Sequence, residues 1–303
     1  MRSMRAGRRM PNRQNLRIKM TYRECYEQGC RTLQAAGIEE AALDARLLLE
    51  AVCGTDRNDL LVHGEQPVMP QAEEKYLNWI RQRAEHIPLQ QLTGEQDFMG
   101  LTFSVNEHVL IPRQDTEILV EEVLKELHDR MRILDMCTGS GCILLSLLHY
   151  SNDCEGLGVD LSAEALEVAG RNVLKVLTPE KAEHAHFLQS DLFEKVEGKF
   201  EIIVSNPPYI ASAKVDKLMP EVRDHEPRMA LDGTEDGLHF YRRIIKEAGK
   251  HLVNSGMLFF EIGYDQGQAV SELMRAGGYR EVQVVQDYAG LDRVVLGTYC
   301  ERN

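Results

Sequence analysis

The tetrapeptide Asn206-Pro207-Pro208-Tyr209 places a side-chain amide, two prolines and an aromatic ring directly after the apolar run EIIVS. The prolines fix φ and remove two backbone donors, which leaves carbonyl oxygens and the Asn206 side chain as acceptors. The Asn206 side-chain oxygen and the Pro207 carbonyl can each accept one hydrogen of a planar –NH₂ group, while Tyr209 covers its face. A stiff turn beside an ordinary surface tyrosine is the alternative interpretation.

A glycine-rich turn lies between the predicted strand RILD and the helix that follows it, and consists of Cys137-Thr138-Gly139-Ser140-Gly141. Glycine lets the backbone approach a ligand closely and tolerates positive φ. A dinucleotide-binding fingerprint would require glycine or alanine at residue 144, where this sequence has leucine. The turn therefore favours a ligand cradle that is not built for a nicotinamide cofactor, with a merely tight turn as the alternative.

Two carboxylates end neighbouring predicted strands. Asp160 ends the segment GLGVD and can accept hydrogen bonds from both hydroxyls of a ribose. Because Ser162 is the more natural N-cap of the next helix, we expect Asp160 to be free for a ligand. Asp191 ends the segment HFLQSD and can accept a hydrogen bond from an adenine amino group, while Leu192 covers a face of the ring.

Strand and helix patterns alternate from Met131 onward, which is typical of a doubly wound α/β fold with a mostly parallel sheet. Seven strands are predicted, and ligands of such sheets bind beyond the carboxyl ends of the strands. The last two strands, REVQVVQD and RVVLGTYC, are joined only by YAGLD, which requires a terminal antiparallel hairpin.

The preceding part of the chain is predicted to be a small all-helical domain over 20–92, followed by a connector hairpin over 93–114 and the catalytic domain over 115–303. Thr21 and Glu24 match a capping box at the start of the first helix. Helices are expected to about Ala36, over IEEAALDARLLLEAVCG, and from about Gln71 to His86. Residues 1–19 carry seven basic side chains and no acidic one, and are predicted to be a disordered tail or to precede the true start, with a transit segment as the alternative.

Composition restricts the class of protein. The net charge is −13, which disfavours a sequence-independent grip on nucleic acid. The seven cysteines show no zinc spacing and indicate reduced intracellular thiols, and no apolar run approaches the length of a membrane span. We therefore expect a soluble cytoplasmic protein without a metal site and without direct contact to membrane or nucleic acid.

In chain order, the glycine turn, the two acids and the Asn-Pro-Pro-Tyr turn resemble the class I S-adenosylmethionine-dependent methyltransferases that modify amino nitrogen. Further segments narrow the resemblance to the protein-(glutamine-N5) methyltransferase family that acts on peptide chain release factors: IPRQDTE over 111–117, EPR over 226–228, ALDG over 230–233, and EIG with QG over 261–267. Gln114 stands where that family usually has proline, and Cys137 stands where glycine is common.

The resemblance implies that the substrate is the glutamine of the Gly-Gly-Gln motif in class I release factors, methylated with S-adenosyl-L-methionine as cofactor. It implies that Asn206, Pro207 and Tyr209 are catalytic, and that Pro208 and Arg113 also contact the substrate. The implied cofactor-binding residues are Cys137, Thr138, Gly139, Ser140, Gly141, Asp160, Leu161, Asp191, Leu192 and Asn206.

Some roles stay open at this stage. Arg113, Asp115 and Glu117 are expected to line the entrance of the site or to pin the loop, and Glu261 is interpreted as structural in preference to a site acid. A DNA or RNA amino-methyltransferase is the nearest alternative, since the same turn can hold an adenine or cytosine amino group after base flipping. A nucleotide-binding adaptor and a nicotinamide oxidoreductase are more distant.

Overall fold

The computed structural model describes residues 19–301. This part of the chain divides into two compact units, one ending at Glu85 and the other beginning at His86. The predicted basic tail, except Lys19, lies outside the described residues. No helix among the residues described is long and apolar enough to cross a membrane.

The N-terminal unit is helical. Its helices are α1 (Tyr22–Ala35), α2 (Ala41–Cys53), α3 (Arg57–Val62) and α4 (Pro70–Ala84). The predicted capping box is present, because Thr21 accepts from the N–H of Glu24 while the Glu24 carboxylate accepts from the N–H of Thr21. Helix α3 was not predicted. It is a short helix capped by Asp56, which accepts from two backbone N–H groups.

The second unit contains the sheet and its helices. Its strands are β1 (Glu95–Phe98), β2 (Leu101–Ser104), β3 (Arg132–Met136), β4 (Glu155–Asp160), β5 (Ala185–Gln189), β6 (Phe200–Ser205), β7 (Leu252–Glu261), β8 (Tyr279–Gln286) and β9 (Asp292–Tyr299). Its helices are α5 (Leu89–Thr93), α6 (Asp115–Glu126), α7 (Cys142–Tyr150), α8 (Ala163–Val176), α9 (Pro179–Ala182), α10 (Ser212–Val215), α11 (Pro220–Arg223), α12 (Arg228–Leu231), α13 (His239–Ala248) and α14 (Gly267–Ala276).

The main sheet has seven strands in the order β5-β4-β3-β6-β7-β9-β8. Strands β3 to β7 pair in parallel, whereas β9 is antiparallel to both β7 and β8. A tight turn joins β8 to β9, in which the N–H of Asp287 donates to the carbonyl of Leu291 at 2.8 Å. The predicted doubly wound sheet and its terminal hairpin are therefore confirmed.

Helices cover both faces of this sheet. Since successive residues of a strand point to opposite sides, each strand contributes side chains to the core on either face. In β6, Ile202 and Val204 belong to the core on the side of α6, α7 and α8. Ile203 belongs to the core on the side of α13 and α14. A strand buried on both faces reads as a continuous apolar run, which explains the sequence EIIVS.

The connector forms a separate antiparallel hairpin of β1 and β2. It belongs to the second unit, whereas the sequence divided the chain after residue 92. Helix α6 ends at Glu126, because Leu127 has extended backbone angles. The sequence also gave no signal for the short helices α10 to α12, which lie between the Asn-Pro-Pro-Tyr turn and α13.

Candidate active site

A cavity of about 220 Å³ lies in the second unit, beyond the carboxyl ends of β3, β4, β5 and β6. The parallel register brings these ends together, since Met136 is paired with both Val159 and Ser205. The sequence-predicted site residues that line the cavity are Arg113, Cys137, Thr138, Gly139, Ser140, Asp160, Leu161, Asp191, Leu192, Asn206 and Pro208. Gly141, Pro207 and Tyr209 do not line it.

The glycine turn lies along one wall of this cavity. Its backbone reaches positive φ at Cys137, Gly139 and Gly141, with values of 63°, 55° and 77°. A Cβ on Gly139 would meet no atom within 4 Å, whereas one on Gly141 would lie 3.2 Å from the Cβ of Ala169. Gly141 is the N-cap of α7 and serves its close packing, while Gly139 leaves open space at the cavity wall.

Cys137 adopts the left-handed conformation that favours glycine, with a cost for other residues of order 1–3 kcal/mol. Cysteine at position 137, where glycine is common in the family, therefore carries a conformational cost. The Cys137 side chain packs against the core on the α13 side, which offsets part of that cost.

Asp160 lines the cavity, as expected for a ligand-binding carboxylate, but it also has partners in the protein. Its Oδ2 accepts from the N–H of Gly139 at 2.9 Å, and its Oδ1 accepts from the N–H of Ser162 at 2.9 Å. The predicted capping role of Ser162 is confirmed, because its hydroxyl accepts from the N–H of Ala165. Burial raises the pKa of Asp160, and these backbone hydrogen bonds oppose the rise. Each carboxylate oxygen keeps a further lone pair, so Asp160 both shapes the glycine turn and can accept from a ligand.

The second acid is also partly engaged. Oδ1 of Asp191 is 3.0 Å from Nη2 of Arg243, and both side chains are about a third exposed. Leu192 is buried and lines the cavity with φ of 49°. Asp191 therefore lines the cavity while one of its oxygens contacts Arg243.

The backbone of the Asn-Pro-Pro-Tyr turn is fixed by contacts with Gln266, Gly233 and Gly237. The backbone carbonyl of Tyr209 accepts from Nε2 of Gln266 at 3.0 Å. Gly233 and Gly237 pass so close that an added Cβ would lie 2.8 Å from the Pro208 carbonyl or 2.3 Å from the Tyr209 carbonyl. These contacts explain the position of the two glycines, since no side chain fits between the turn and this segment.

Tyr209 points away from the cavity. Its hydroxyl donates to Oε1 of Glu261 at 3.3 Å, and its ring packs against the core on the α13 side. Burial beside the Glu261 carboxylate raises the pKa of Tyr209, so the phenol stays protonated. The prediction that Tyr209 covers a substrate face therefore differs from its placement here, where it anchors the turn.

Asn206 has a single side-chain partner among the hydrogen bonds of the described residues, the hydroxyl of Thr116. Its Nδ2 lies 3.4 Å from Thr116 Oγ1, and the amide oxygen has no hydrogen-bond partner among residues 19–301. Thr116 is buried at the start of α6 and lines the cavity beside Asn206.

Glu261 is a buried carboxyl at the end of β7, 1% exposed, and it does not line the cavity. Burial raises its pKa to about 7, and the nearby hydroxyl of Thr116, the charge of Arg293 and the hydrogen bond from Tyr209 oppose the rise. Arg293 also contacts the carboxylates of Asp115 and Asp287 at 3.1 and 3.0 Å. This arrangement agrees with the structural interpretation of Glu261, which contacts the Asn-Pro-Pro-Tyr turn through Tyr209.

The remaining polar residues of the 111–117 segment hold neighbouring loops. Arg113 donates through Nη2 to both carboxylate oxygens of Glu226 at 2.6 and 2.7 Å. Glu117 accepts from the N–H of Met99 at 2.6 Å, which pins the turn of the β1–β2 hairpin. Arg113 nonetheless lines the cavity, so its ion pair with the buried Glu226 fixes one wall.

Sequence reasoning did not assign a role to several cavity residues. Thr116 was quoted only as part of a motif, yet it is the polar residue on a buried helix face that continues through Val120 and Val123. That interruption of an apolar face was a usable signal. The other unassigned lining residues include His108 and Leu110 from a loop, Met229 from α12 and Phe240 from the start of α13.

Among residues 19–301 no group of three or more His, Cys, Asp or Glu side chains is arranged to hold a metal ion.

Comparison with known proteins identifies the family. The family model described as PrmC N-terminal domain matches residues 24–94, and the model described as Methyltransferase small domain matches residues 113–222. The release factor glutamine methyltransferase of Moorella thermoacetica is 44% identical over 281 residues, covering 91% of this chain and 98% of that protein. The chain belongs to the release factor glutamine methyltransferases.

Other release factor glutamine methyltransferases are also similar to this chain. The relative from Agrobacterium fabrum is 41% identical over 269 residues, covering 87% of this chain and 92% of that protein. A solved structure, the protein-(glutamine-N5) methyltransferase (release factor-specific) from Alicyclobacillus acidocaldarius, is 30% identical with a TM-score of 0.38 and covers 66% of this chain and 100% of that chain. The predicted family and enzyme class are confirmed.

Proposed function

We propose that this protein transfers a methyl group from S-adenosylmethionine to the side-chain amide nitrogen of the glutamine in the Gly-Gly-Gln motif of class I peptide chain release factors. The observation that carries the proposal is the placement of Asn206 at a cavity wall with its amide nitrogen on Thr116. Its amide oxygen is then available to accept from an –NH₂ group in the cavity.

The cavity residues suit a cationic nucleoside cofactor. Two carboxylates, Asp160 and Asp191, lie among apolar residues such as Leu161 and Leu192. Carboxylates can accept from ribose hydroxyls and an adenine amino group, and they attract the positive charges of a sulfonium and an ammonium group. The open space above Gly139 lets a ligand approach the backbone of the glycine turn.

We assign the cofactor-binding roles accordingly. Cys137 to Gly141 would hold the methionine portion, Asp160 with Leu161 the ribose, and Asp191 with Leu192 the adenine. When bound, S-adenosylmethionine supplies an electrophilic methyl group. The protein supplies position, because the mechanism requires the substrate nitrogen to approach that group from one direction.

Orientation is the main contribution of the turn to the reaction. An amide nitrogen is a poor nucleophile because its lone pair is delocalised into the carbonyl. If the Asn206 oxygen and the Pro207 carbonyl each accept one N–H hydrogen, the face of the nitrogen is turned towards the cofactor site. Orientation of this kind contributes up to about 7–11 kcal/mol in favourable cases. Once methylated, the nitrogen is strongly acidic and its proton can pass to water, so no general base is required.

Tyr209 contributes indirectly in this proposal. Its hydroxyl bond to Glu261 and its backbone bond from Gln266 hold the C-terminal end of the turn in place. Pro207 and Pro208 are buried, which keeps the Pro207 carbonyl in a fixed orientation. Pro208 and Arg113 complete the substrate side of the cavity.

We further propose that the N-terminal helical unit recognises the release factor. A groove of about 490 Å³ within this unit is lined by tyrosines and leucines and by Arg23, Arg46 and Arg57. Leu61 lies in this groove and is 71% exposed. The substitution Leu61→Asp should raise KM for release factor without lowering kcat, whereas Leu174→Asp, at a position 84% exposed on α8, should change neither. Equal KM values for the two variants would contradict this assignment.

The proposed activity is tested by transfer of labelled methyl from S-adenosylmethionine to purified release factor. A release factor in which alanine replaces the glutamine of the Gly-Gly-Gln motif is the control. Label that depends on that glutamine supports the proposal. Label that appears only in DNA or RNA added in parallel would favour the amino-methyltransferase alternative. The predicted cytoplasmic location stays a prediction.

A further inference from the structure

Helix α8 has a polar residue, Asn172, on a buried face that is otherwise apolar. The buried residues of this helix are Ala165, Val168, Ala169, Asn172, Val173 and Val176, and Asn172 has no exposed surface. Asparagine is unfavourable in a helix interior, and a buried amide is costly unless its polar atoms have partners. Asn172 does not line the cavity, so its contacts must explain its presence.

The Asn172 side chain pairs with the backbone of the β1–β2 hairpin. Its Oδ1 accepts from the N–H of Ser104 at 2.7 Å, and its Nδ2 donates to the carbonyl of Ser104 at 3.0 Å. A backbone N–H only donates and a carbonyl only accepts, so these two bonds determine which end of the amide is oxygen and which is nitrogen. The hairpin thereby fixes the direction of the second hydrogen on Nδ2.

That second hydrogen is donated to the glycine turn. Nδ2 of Asn172 lies 2.9 Å from the carbonyl oxygen of Ser140, which is buried and lines the cavity. The N–H of the same peptide unit, which belongs to Gly141, donates to the carbonyl of Thr138 at 2.9 Å. The peptide unit between Ser140 and Gly141 is therefore held at both of its polar groups.

The hairpin that orients Asn172 is itself attached to the helices at both ends. At its tip, the N–H of Met99 donates to Glu117 of α6, and the carbonyl of Met99 accepts from the hydroxyl of Tyr150 of α7. At its open end, Lys175 of α8 forms an ion pair with Glu95 at 2.6 Å. A support fixed at both ends holds the amide in one orientation.

We infer that Asn172 is a positioning residue for the cofactor, which transmits the fixed geometry of the hairpin to the Ser140 carbonyl and keeps the glycine turn in its ligand-binding conformation. Gly139 leaves open space at the cavity wall, so the turn offers its backbone to a ligand. The orientation of its peptide units then determines affinity. The inference rests on the proposed function, because that proposal assigns the methionine portion of S-adenosylmethionine to this turn.

Removal of the Asn172 amide tests this role. Asn172→Leu keeps the number and branching of the side-chain atoms but has no hydrogen to donate to Ser140. The matched control is Lys175→Gln on the same helix, which removes a bond between α8 and the hairpin that does not involve the glycine turn. Thermal unfolding establishes that each variant is folded at the temperature of the binding measurements.

The readout is the affinity for two ligands that differ in the amino-acid portion. S-adenosylhomocysteine carries this portion and methylthioadenosine lacks it, whereas both contain adenine, ribose and a neutral sulfur. In Asn172→Leu we expect the Kd of S-adenosylhomocysteine to rise about tenfold to a hundredfold, as for loss of one buried partner. The Kd of methylthioadenosine should change less than about threefold, and Lys175→Gln should change neither value. General weakening of the fold would raise both Kd values alike.

Catalysis should show the same separation. In Asn172→Leu the KM for S-adenosylmethionine should rise, while kcat at saturating cofactor stays within about threefold of wild type. The reason is that Asn206 and the Asn-Pro-Pro-Tyr turn are unchanged in this variant. A fall in kcat without a change in this KM would contradict the inference.

A second variant covers failure of the first to fold. Asn172→Ala also lacks the amide, introduces no clash, and carries the same comparison of the two ligands. Wild-type protein that binds neither ligand in calorimetry would contradict the proposed function and this inference together. Wild-type protein that binds both, with the same ratio of Kd values in folded Asn172→Leu or Asn172→Ala, would contradict the inference alone.

Discussion

The backbone N–H of Gly139 donates to Oδ2 of Asp160 at 2.9 Å, which joins the loop after β3 to the end of β4. The same carboxylate accepts from Ser162 through its other oxygen. Asp160 is thus a structural part of the glycine turn as well as an acceptor facing the cavity. Substitutions at this residue are expected to act on both functions.

Replacing Asp160 should weaken cofactor binding. Asp160→Ala removes the acceptor for two backbone N–H groups and for the ribose, and the loss should raise Kd about tenfold to a hundredfold. Asp160→Asn keeps one oxygen and should lose less. Calorimetric titration with S-adenosylmethionine measures the effect, with Asp129→Ala in an exposed turn as control. Unchanged affinity in Asp160→Ala would remove this residue from the cofactor site.

Replacing Asn206 should affect the chemical step. Asn206→Ala removes the oxygen that is proposed to orient the substrate amide, so kcat should fall by about two orders of magnitude or more. The glycine turn, Asp160 and Asp191 are unchanged, and affinity for S-adenosylmethionine should stay within about twofold of wild type. Single-turnover methylation and calorimetry separate the two effects. Turnover close to that of wild type would exclude the assigned role.

Two glycines with similar backbone angles allow a matched test of the support behind the turn. Gly237 and Gly290 have φ of 75° and 79°, so alanine at either position costs about 1 kcal/mol in backbone strain. Only at Gly237 would the new Cβ lie 2.3 Å from the Tyr209 carbonyl, whereas at Gly290 it meets no atom within 4 Å.

Gly237→Ala should therefore displace the Asn-Pro-Pro-Tyr turn and lower both stability and activity. We expect an additional loss of about 1–3 kcal/mol in the free energy of unfolding relative to Gly290→Ala. Urea denaturation and methyl-transfer rates measure these quantities. Equal activity in the two variants would show that close approach of residue 237 to Tyr209 does not support the site.

The buried Glu261 predicts a dependence of stability on pH. Its pKa is raised to about 7 in the folded protein, mainly by burial, from an ordinary value of 4.5. A raised pKa contributes stability that is fully present below the unfolded value and is lost as pH rises through about 7. The groups that face this carboxyl are Thr116, Tyr209, Arg293 and, through its charge, Asp115.

Glu261→Gln removes that titration and keeps a similar shape. The free energy of unfolding of the variant, relative to wild type, should therefore rise between pH 5 and pH 8 as the wild-type carboxyl ionises. Urea denaturation at both values measures the difference. A relative stability that is constant or falls over this range would contradict a raised pKa at Glu261.

The fold was predictable where residues close together in the chain carry the signal for an element. Strand β6 reads as an apolar run because both of its faces are buried, and the hairpin of β8 and β9 follows from a connection too short for a helix. The start of α1 was equally explicit in Thr21 and Glu24. The short helices α10 to α12 were not predictable, because each is a single turn held by tertiary contacts.

Most of the predicted site residues line the cavity, but their hydrogen bonds were not predictable. Asp160 ends β4 and Asn206 follows β6, and the parallel order of the strands places these ends at the same edge of the sheet. That Asp160 accepts from the distant Gly139, and that Tyr209 turns inwards to Glu261, depends on side-chain directions that spacing does not encode. Thr116 was overlooked because its importance arises from contact with Asn206, 90 residues further along the chain.

The central claim is most directly tested by tandem mass spectrometry of release factor after incubation with the wild-type protein and S-adenosylmethionine. The account predicts one added methyl group on the side-chain nitrogen of the glutamine in the Gly-Gly-Gln peptide, and its loss with Asn206→Ala. An unmodified glutamine, with cofactor binding confirmed by calorimetry in the same preparation, would contradict the account and make oligonucleotides the next substrates to examine.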